Sequence, residues 1–248
     1  MLFRSMMAKY VALADWRISA LLTGEYYCDG IAALTQRGVD EISALADGVC
    51  ARDAETAGSI FQALVMTGLA MKLAGCSRPA SGAEHVLAHY WECRKLEQGL
   101  FPEYHGRKVG VATLLMTRLY RRIARRYAHI SARPDPTDWQ QVYDVYGPLL
   151  RPEVEKLNTP TITDTISPAR LEECWPEIRR IILETLPEEE VLLELFRRAG
   201  AATEPEDVHV DAALLAEGLR YHPYMRRRVL LTRLLPMLGI DPVEELGL

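Results

Sequence analysis

Apolar residues recur at steps of three and four positions along most of this chain, as they do on one face of an α-helix. In the first such stretch Met7, Val11, Ala14, Ile18 and Leu21 follow this spacing. The same periodicity predicts helices over residues 6–22, 29–36, 39–51, 54–75, 84–98, 106–128, 138–146, 167–186, 188–199, 210–220 and 224–238. No stretch alternates at every second residue, so the sequence predicts an all-α fold.

Two of these helices carry further expectations. Residues 54–75 are apolar almost all round, which predicts a helix that is buried on most sides. The helix over residues 84–98 follows Pro79 and begins near Ser81. Glu84 stands three residues after Ser81, which is the spacing of a capping box.

Proline and threonine mark the organisation of the chain. We predict a single helical domain over residues 1–248. Within it, residues 1–146 and 167–248 carry the helices, and residues 147–166, rich in Pro and Thr, form a flexible connector.

Composition excludes several classes of function. The net charge of -5 and pI near 5.8 give no reason to expect binding to nucleic acid or to an anionic membrane. No apolar run approaches the roughly 20 residues that span a bilayer. Five scattered cysteines outside CxxC spacing indicate a reducing cytoplasm. No Gly-rich fingerprint follows a strand, so we expect no cofactor-binding residues for a dinucleotide in this chain.

Three of the six histidines lie close together in the sequence. His85 and His89 are four residues apart, on one face of the predicted helix. His105 follows the loop after that helix, and a hairpin would carry it back towards His85. Two imidazoles with a carboxylate from a third helix make a divalent-metal site. On spacing alone, a histidine is more often a core or surface residue than a metal ligand.

Two further residues are candidates for contact with a substrate. Ser81 lies near a helix N-terminus, which suits an anionic group. Lys108 lies close to His105 in sequence and could attract a phosphate. The alternatives are that Ser81 belongs to a plain cap and turn, and that Lys108 is a solvated side chain.

Several motifs in order resemble one enzyme family. RPASGAEH, AHYWE and HGRKVGVATLL, preceded by AKYVALADWRIS and GEYYC, resemble the sn-glycerol-1-phosphate dehydrogenases, including the AraM-type bacterial enzymes. These belong to the superfamily of iron-containing alcohol dehydrogenases, glycerol dehydrogenase and dehydroquinate synthase. The resemblance is densest over residues 5–120.

The resemblance implies a fold and a chemistry. Family members combine an α/β domain that binds NAD(P) with an all-helical C-terminal domain that binds a divalent metal, usually zinc. This chain resembles the C-terminal domain and lacks the α/β domain. By matching, His85 and His105 resemble the two histidine metal ligands. His89 resembles a neighbouring residue near the substrate, which could act in catalysis as a proton relay.

One departure from the family pattern concerns the third ligand. The family carries an aspartate where this chain has Ser5, and a glycine where it has Arg4. A neutral hydroxyl is a poor substitute for a carboxylate on a hard dication, so we expect weak zinc binding. The candidates to complete the site are a water, a substrate oxygen and Asp15. Asp15 is the poorest of these candidates, because it lies ten residues from Ser5 along a helix.

These observations lead to two interpretations. The first is the metal-binding, substrate-side domain of an oxidoreductase that acts on a polyol phosphate, inactive alone and dependent on NAD(P) bound by another domain or a separate chain. The second is a non-catalytic helical binding or interaction protein, or a truncated fragment, derived from that family. Whether the chain is itself an enzyme stays open. An apolar surface left by a missing domain would favour a homo-oligomer.

Overall fold

The computed structural model describes residues 2–248, and Met1 lies outside the described part. These residues form thirteen α-helices and three 3₁₀ helices without a strand, which confirms the all-α prediction. The α-helices are α1 Leu2–Met7, α2 Lys9–Thr23, α3 Asp29–Ser43, α4 Ala46–Cys50, α5 Ala54–Ala74, α6 Ala83–Glu97, α7 His105–Arg126, α8 Trp139–Leu157, α9 Pro168–Thr185, α10 Glu189–Arg198, α11 Ala212–Tyr221, α12 Leu231–Leu238 and α13 Pro242–Leu246. The 3₁₀ helices are Ile162–Thr165, Pro205–Val208 and His222–Met225.

The core lies where α2, α6, α7 and α9 meet. Tyr90, Trp91, Tyr120 and Trp175 are all at most 1% exposed there. Helices α6 and α7 pack directly on each other, and α2 packs on α9. Aromatic residues of this size supply much of the apolar area that a domain buries. The helix pair α6–α7 is therefore held rigidly from several sides.

The N-terminus of α6 is capped by a residue that is distant in sequence. Gly82 is the N-cap residue and supplies no side chain. Instead, the Ala83 amide donates to Asp15 Oδ2 of α2 at 2.8 Å, and the Gly82 amide donates to Glu84 Oε1 at 3.0 Å. The predicted capping box of Ser81 and Glu84 is therefore wrong, because the helix begins one residue too late for Ser81 to reach it.

Much of the segment over residues 147–166, predicted as a flexible connector, is helical. Helix α8 continues through it to Leu157, with a kink at Gly147, where φ is 64° and ψ is 178°. Pro148 then begins a new helical segment, a position that proline tolerates. The segment ends at Asn158, which is buried. Its side-chain Nδ2 donates to Val154 O and Tyr224 O, both at 2.8 Å. The interpretation of residues 1–248 as one domain stays a prediction.

The predicted helix over residues 224–238 is interrupted. Residues 226–230 lie between the 3₁₀ helix His222–Met225 and α12, and they form no helix. Long-range hydrogen bonds replace helical ones here: Arg228 donates to Ser77 Oγ at 2.6 Å and to Ser81 O at 3.1 Å. The Leu231 amide donates to Asp15 Oδ1 at 3.0 Å. The segment is thereby attached to the start of α6.

Helix α5 is much more exposed than its composition predicts. Phe61, Val65, Leu69 and Leu73 are 44–64% exposed and recur every four residues along one face. Among the described helices, α5 is long and apolar enough to cross a bilayer by length and composition, and 22% of its most apolar window is buried. The search for an unbroken apolar run did not identify α5 as a candidate span, because glycine and threonine interrupt its apolar residues. Its mean hydropathy nevertheless reaches 1.3.

Candidate metal centre

The structure brings the three predicted histidines together. The ring centroids of His85 and His105 lie 5.6 Å apart, and those of His89 and His105 lie 4.9 Å apart. His85 and His89 project from successive turns of α6, while His105 is the first residue of α7. The close packing of α6 on α7 therefore produces the predicted convergence. The individual roles assigned to these histidines stay predictions.

A carboxylate that the sequence reading missed completes the cluster. Glu92 Oε2 lies 3.3 Å from His89 Nδ1 and 3.7 Å from His105 Nδ1. One ligand atom from each of His89, Glu92 and His105 lies within 4.8 Å of the other two. Glu92 follows His85 and His89 by seven and three residues, so all three share one face of α6. That spacing was a signal in the sequence that could have identified it.

A second buried carboxylate orients His85. Glu84 Oε1 lies 2.6 Å from His85 Nδ1, and the Glu84 side chain is 0% exposed. With Nδ1 engaged, the other ring nitrogen of His85 is left for the space shared with His105. A carboxylate behind a metal-binding imidazole is a common means of fixing its tautomer and orientation.

The imidazoles are held in their neutral form. Burial lowers the pKa of His85, His89 and His105, and the neighbouring imidazoles add to this effect. Burial opposes ionisation of Glu92, but Lys108 and the two nearby histidines outweigh it, and the net pKa is lowered. Neutral imidazoles beside an ionised carboxylate are the protonation states that bind a divalent cation.

The donor set suits zinc. Two imidazole nitrogens and one carboxylate oxygen are a common protein ligand set for this ion. Zinc–ligand bonds of about 2.1 Å separate tetrahedral ligands by roughly 3.4 Å. The separations found here therefore need only small side-chain rotations to close around an ion. The residues present fit the metal that the family resemblance implies.

Ser5 and Asp15 stand in different surroundings. Ser5 lies half-buried on α1. Both carboxylate oxygens of Asp15 are occupied in the core, by the Ala83 amide on one side and by the Leu231 amide and Tyr120 hydroxyl on the other. Asp15 is therefore not available as a replacement ligand. Glu92 is the carboxylate that the structure places beside the histidines.

The two predicted substrate residues differ in accessibility. The Lys108 side chain is 0% exposed, and its ammonium donates to Pro102 O at 2.5 Å and to Glu103 O at 3.0 Å. It also lies 3.4 Å from Glu92 Oε1, so it stabilises the charge of that carboxylate. Ser81 lines a cleft of about 520 Å³ whose walls include His85 and His89. Contact of either residue with a substrate stays a prediction.

Comparison with known proteins identifies relatives over most of the chain. No protein-family profile matches it. A glycerol-1-phosphate dehydrogenase [NAD(P)+] of Geobacillus stearothermophilus is 33% identical over 218 residues, which is 88% of this chain and 48% of that protein. A Bacillus licheniformis enzyme of the same name is 28% identical over 240 residues, 97% of this chain and 49% of that protein. One from Halalkalibacterium halodurans is 40% identical over 124 residues, 50% of this chain and 31% of that protein.

The extent of these matches agrees with the fold. The chain spans about half the length of the first two relatives. Its described residues are helical, and they carry the histidine motifs on two packed helices. We conclude that this chain belongs with the glycerol-1-phosphate dehydrogenases, and that it corresponds to the all-helical C-terminal part of that family.

Proposed function

We propose that this chain is the metal-binding, substrate-side domain of an oxidoreductase resembling glycerol-1-phosphate dehydrogenase. The substrate would be a polyol phosphate whose hydroxyl group is oxidised with NAD(P) as hydride acceptor. The observation that supports this most strongly is the convergence of His85, His89, Glu92 and His105 from α6 and α7. These residues lie within the motifs that carry the family resemblance.

We assign the ligands from the geometry of the cluster. His89, Glu92 and His105 are the three principal ligands, because their donor atoms lie closest together. His85, oriented by Glu84, is the neighbouring donor that can complete the set. The family resemblance instead implies His85 and His105 as ligands with His89 beside the substrate. In either arrangement, Glu92 supplies the negative charge that Ser5 does not.

The cluster provides the conditions for activating a hydroxyl group. When bound, a divalent ion such as zinc would polarise the substrate oxygen and lower the pKa of its hydroxyl. His85 lines the adjacent cleft, and its neutral imidazole is able to accept the proton released when His89 is a ligand. In the arrangement that the family resemblance implies, His89 would take this role instead. Lys108 keeps Glu92 ionised without reaching the cleft itself.

The nicotinamide site would come from outside residues 1–248. The described residues contain no strand, and therefore no strand–turn–helix unit with a Gly-rich turn. NAD(P) would be supplied by another region of the same polypeptide or by a separate nucleotide-binding chain. Residues 1–248 alone would then be inactive in hydride transfer. Cytoplasmic location and a role in phospholipid metabolism belong to the same proposal.

A non-catalytic helical interaction protein is the second candidate. The exposed apolar stripe on α5 favours it, since such stripes mark interfaces. We propose that a second copy of the chain covers this stripe. An antiparallel pairing of two α5 helices would place Lys72 of one copy within about one turn of Glu55 of the other. Metal binding distinguishes the candidates, because an interaction role does not require it.

The test measures zinc binding to the purified full chain by isothermal titration calorimetry. We expect one ion per chain, and at least a tenfold loss of affinity in both His105→Ala and Glu92→Gln. The control is His129→Ala, which removes an exposed histidine far in sequence from the cluster. A larger loss in His85→Ala than in Glu92→Gln would favour the ligand set implied by the family. No zinc binding, or equal binding by every variant, would refute the metal-domain assignment.

A further inference from the structure

A second cavity lies between the loop before α8 and the C-terminal helices. Its volume is about 310 Å³, at the lower end of the roughly 300–1,000 Å³ of small-molecule sites. Side chains from α8, α11, α12 and the 3₁₀ helix His222–Met225 contribute to its wall. Its described lining residues all differ from those of the cleft beside His85. The cavity is therefore separate from the candidate metal centre.

Much of the wall of this cavity is apolar. The rings of Tyr221 and Tyr224 line it, with their centroids 6.5 Å apart. Four aliphatic lining residues are each at most 9% exposed, and they are Val142 of α8, Leu219 of α11, Leu235 of α12 and Ile240 of the turn after α12. An apolar body placed against these side chains would lose contact with water, which favours its binding.

Three of the charged residues on the wall already have partners in the protein. Arg220 Nε donates to Asp241 Oδ2 at 2.7 Å, and Asp241 Oδ1 accepts the Val243 amide at the start of α13 at 2.8 Å. Asp138 Oδ1 accepts the Gln141 amide at the start of α8 at 3.1 Å. Free amide groups and the helix dipole stabilise a carboxylate in this position. These charges are therefore compensated without a ligand.

Arg133 is the charged lining residue whose side chain has no partner among residues 2–248. It is exposed, and its guanidinium forms no hydrogen bond or ion pair within that part of the chain. Its backbone amide donates to Met237 O at 2.9 Å, which attaches the loop to the end of α12. A Cβ at Gly239 would lie 3.7 Å from Arg133 Nη2. The guanidinium therefore lies beside the turn after α12, with its donors free to bind an anion.

We propose that this cavity binds a small apolar carboxylate, whose carboxylate group pairs with Arg133 and whose apolar body packs on Leu219 and Leu235. The planar fork of a guanidinium matches the two oxygens of a carboxylate. A polyol fits poorly, because its hydroxyl groups would lose water against an apolar wall. Binding at this site requires neither the metal nor NAD(P), so it goes beyond the proposed function.

The test is a fluorine NMR titration of the metal-free full chain with para-fluorobenzoate, and with para-fluorobenzamide as the uncharged ligand of the same shape. We expect the acid to bind with a dissociation constant on the order of 1 mM, since so few atoms make contact. The amide should bind several times more weakly. Arg133→Gln should weaken binding of the acid roughly tenfold, because a charge-assisted contact is lost.

Arg226→Gln is the matched control. Arg226 is also exposed and forms no ion pair within the described residues, but it lines the cleft beside His85 instead. Its replacement should change the affinity for para-fluorobenzoate less than twofold. Circular dichroism would verify that both variants are folded, as expected for substitutions of exposed side chains.

Three results would overturn the proposal. They are no binding of para-fluorobenzoate, equal weakening by Arg133→Gln and Arg226→Gln, and equal affinity for the acid and the amide. Failure here and failure of the metal site are distinguishable. Arg133→Gln should retain zinc while losing the acid, and Glu92→Gln should lose zinc while retaining the acid.

Discussion

Under the proposed function, Glu92 decides whether the histidine cluster can bind a cation. It lies between His89 and His105. The buried ammonium of Lys108 stabilises the negative charge of the Glu92 carboxylate. Ser5 stands where the family resemblance implies an aspartate ligand, so the proposed site takes its negative charge from elsewhere. Glu92 provides it from the same face of α6 that carries His85 and His89.

The pH dependence of zinc affinity follows from these residues. Burial lowers the pKa of all three imidazoles below the ordinary value of 6.5, so protons compete with zinc only below that pH. We expect the affinity to be nearly constant from pH 8 to pH 6.5 and to fall as the pH decreases further. Calorimetry across this range tests it. A steep fall already between pH 8 and pH 7 would contradict the assigned protonation states.

Residue identities and residue contacts were predictable to different degrees. The sequence motifs predicted that His85, His89 and His105 would converge, because helical spacing and a short loop constrain where they lie. The surroundings of Lys108 and Asp15 were not predictable. Their partners come from distant segments, such as Leu231 for Asp15, and no local pattern encodes such contacts.

Asp15 joins four elements at the start of α6. It accepts hydrogen bonds from the Ala83 amide of α6, the Leu231 amide of α12 and the Tyr120 hydroxyl of α7, while itself lying on α2. Each of these donors is buried, so each would lose a partner if the carboxylate moved. The position of the histidine-bearing face of α6 depends on this junction.

Gly82→Ala should disturb the junction. An added Cβ at Gly82 would lie 2.7 Å from Asp15 Oδ2, 2.7 Å from Glu84 Oε2 and 2.8 Å from Ala12 Cα. We expect a loss of about 1–3 kcal/mol in the free energy of unfolding, measured by urea denaturation. Gly58→Ala is the control, because its Cβ would meet nothing within 4 Å. Equal stability of the two variants would show that the junction is not tightly packed.

A buried ion pair provides a second prediction for the packing of elements. Arg233 of α12 is 1% exposed, lies 3.0 Å from Asp135 and stacks 4.6 Å from the Tyr224 ring. Asp135→Ala leaves the guanidinium without its counterion, which should cost about 3–5 kcal/mol. Asp144→Ala removes an exposed partner of Arg151 and should cost less than about 1 kcal/mol. Similar denaturation midpoints for both variants would contradict this account.

Helix α5 leaves an apolar face uncovered. Sequence periodicity predicted its existence and nearly its bounds, and in the structure Asp53 caps its start and Gly75 its end. Burial was not predictable, since it depends on which neighbours pack on each face. Helix α3 covers one side of α5, and the stripe of Phe61, Val65, Leu69 and Leu73 remains open.

We expect this stripe to cause self-association. Sedimentation velocity should show dimers that increase with protein concentration, because apolar area on both copies is removed from water. Val65→Glu should weaken the dimer, since a two-fold axis near residue 65 would place two carboxylates opposite each other. Leu149→Glu, which alters an exposed leucine on α8, should not. A monomer at every concentration would contradict the predicted pairing.

We propose that His89, Glu92 and His105 together hold one divalent cation. The most direct measurement is an anomalous difference map from crystals of the full chain grown with zinc. We expect one strong peak about 2.1 Å from a donor atom of each residue, with His85 adjacent. A map without a peak at this cluster, or with zinc bound only elsewhere, would contradict the proposed site.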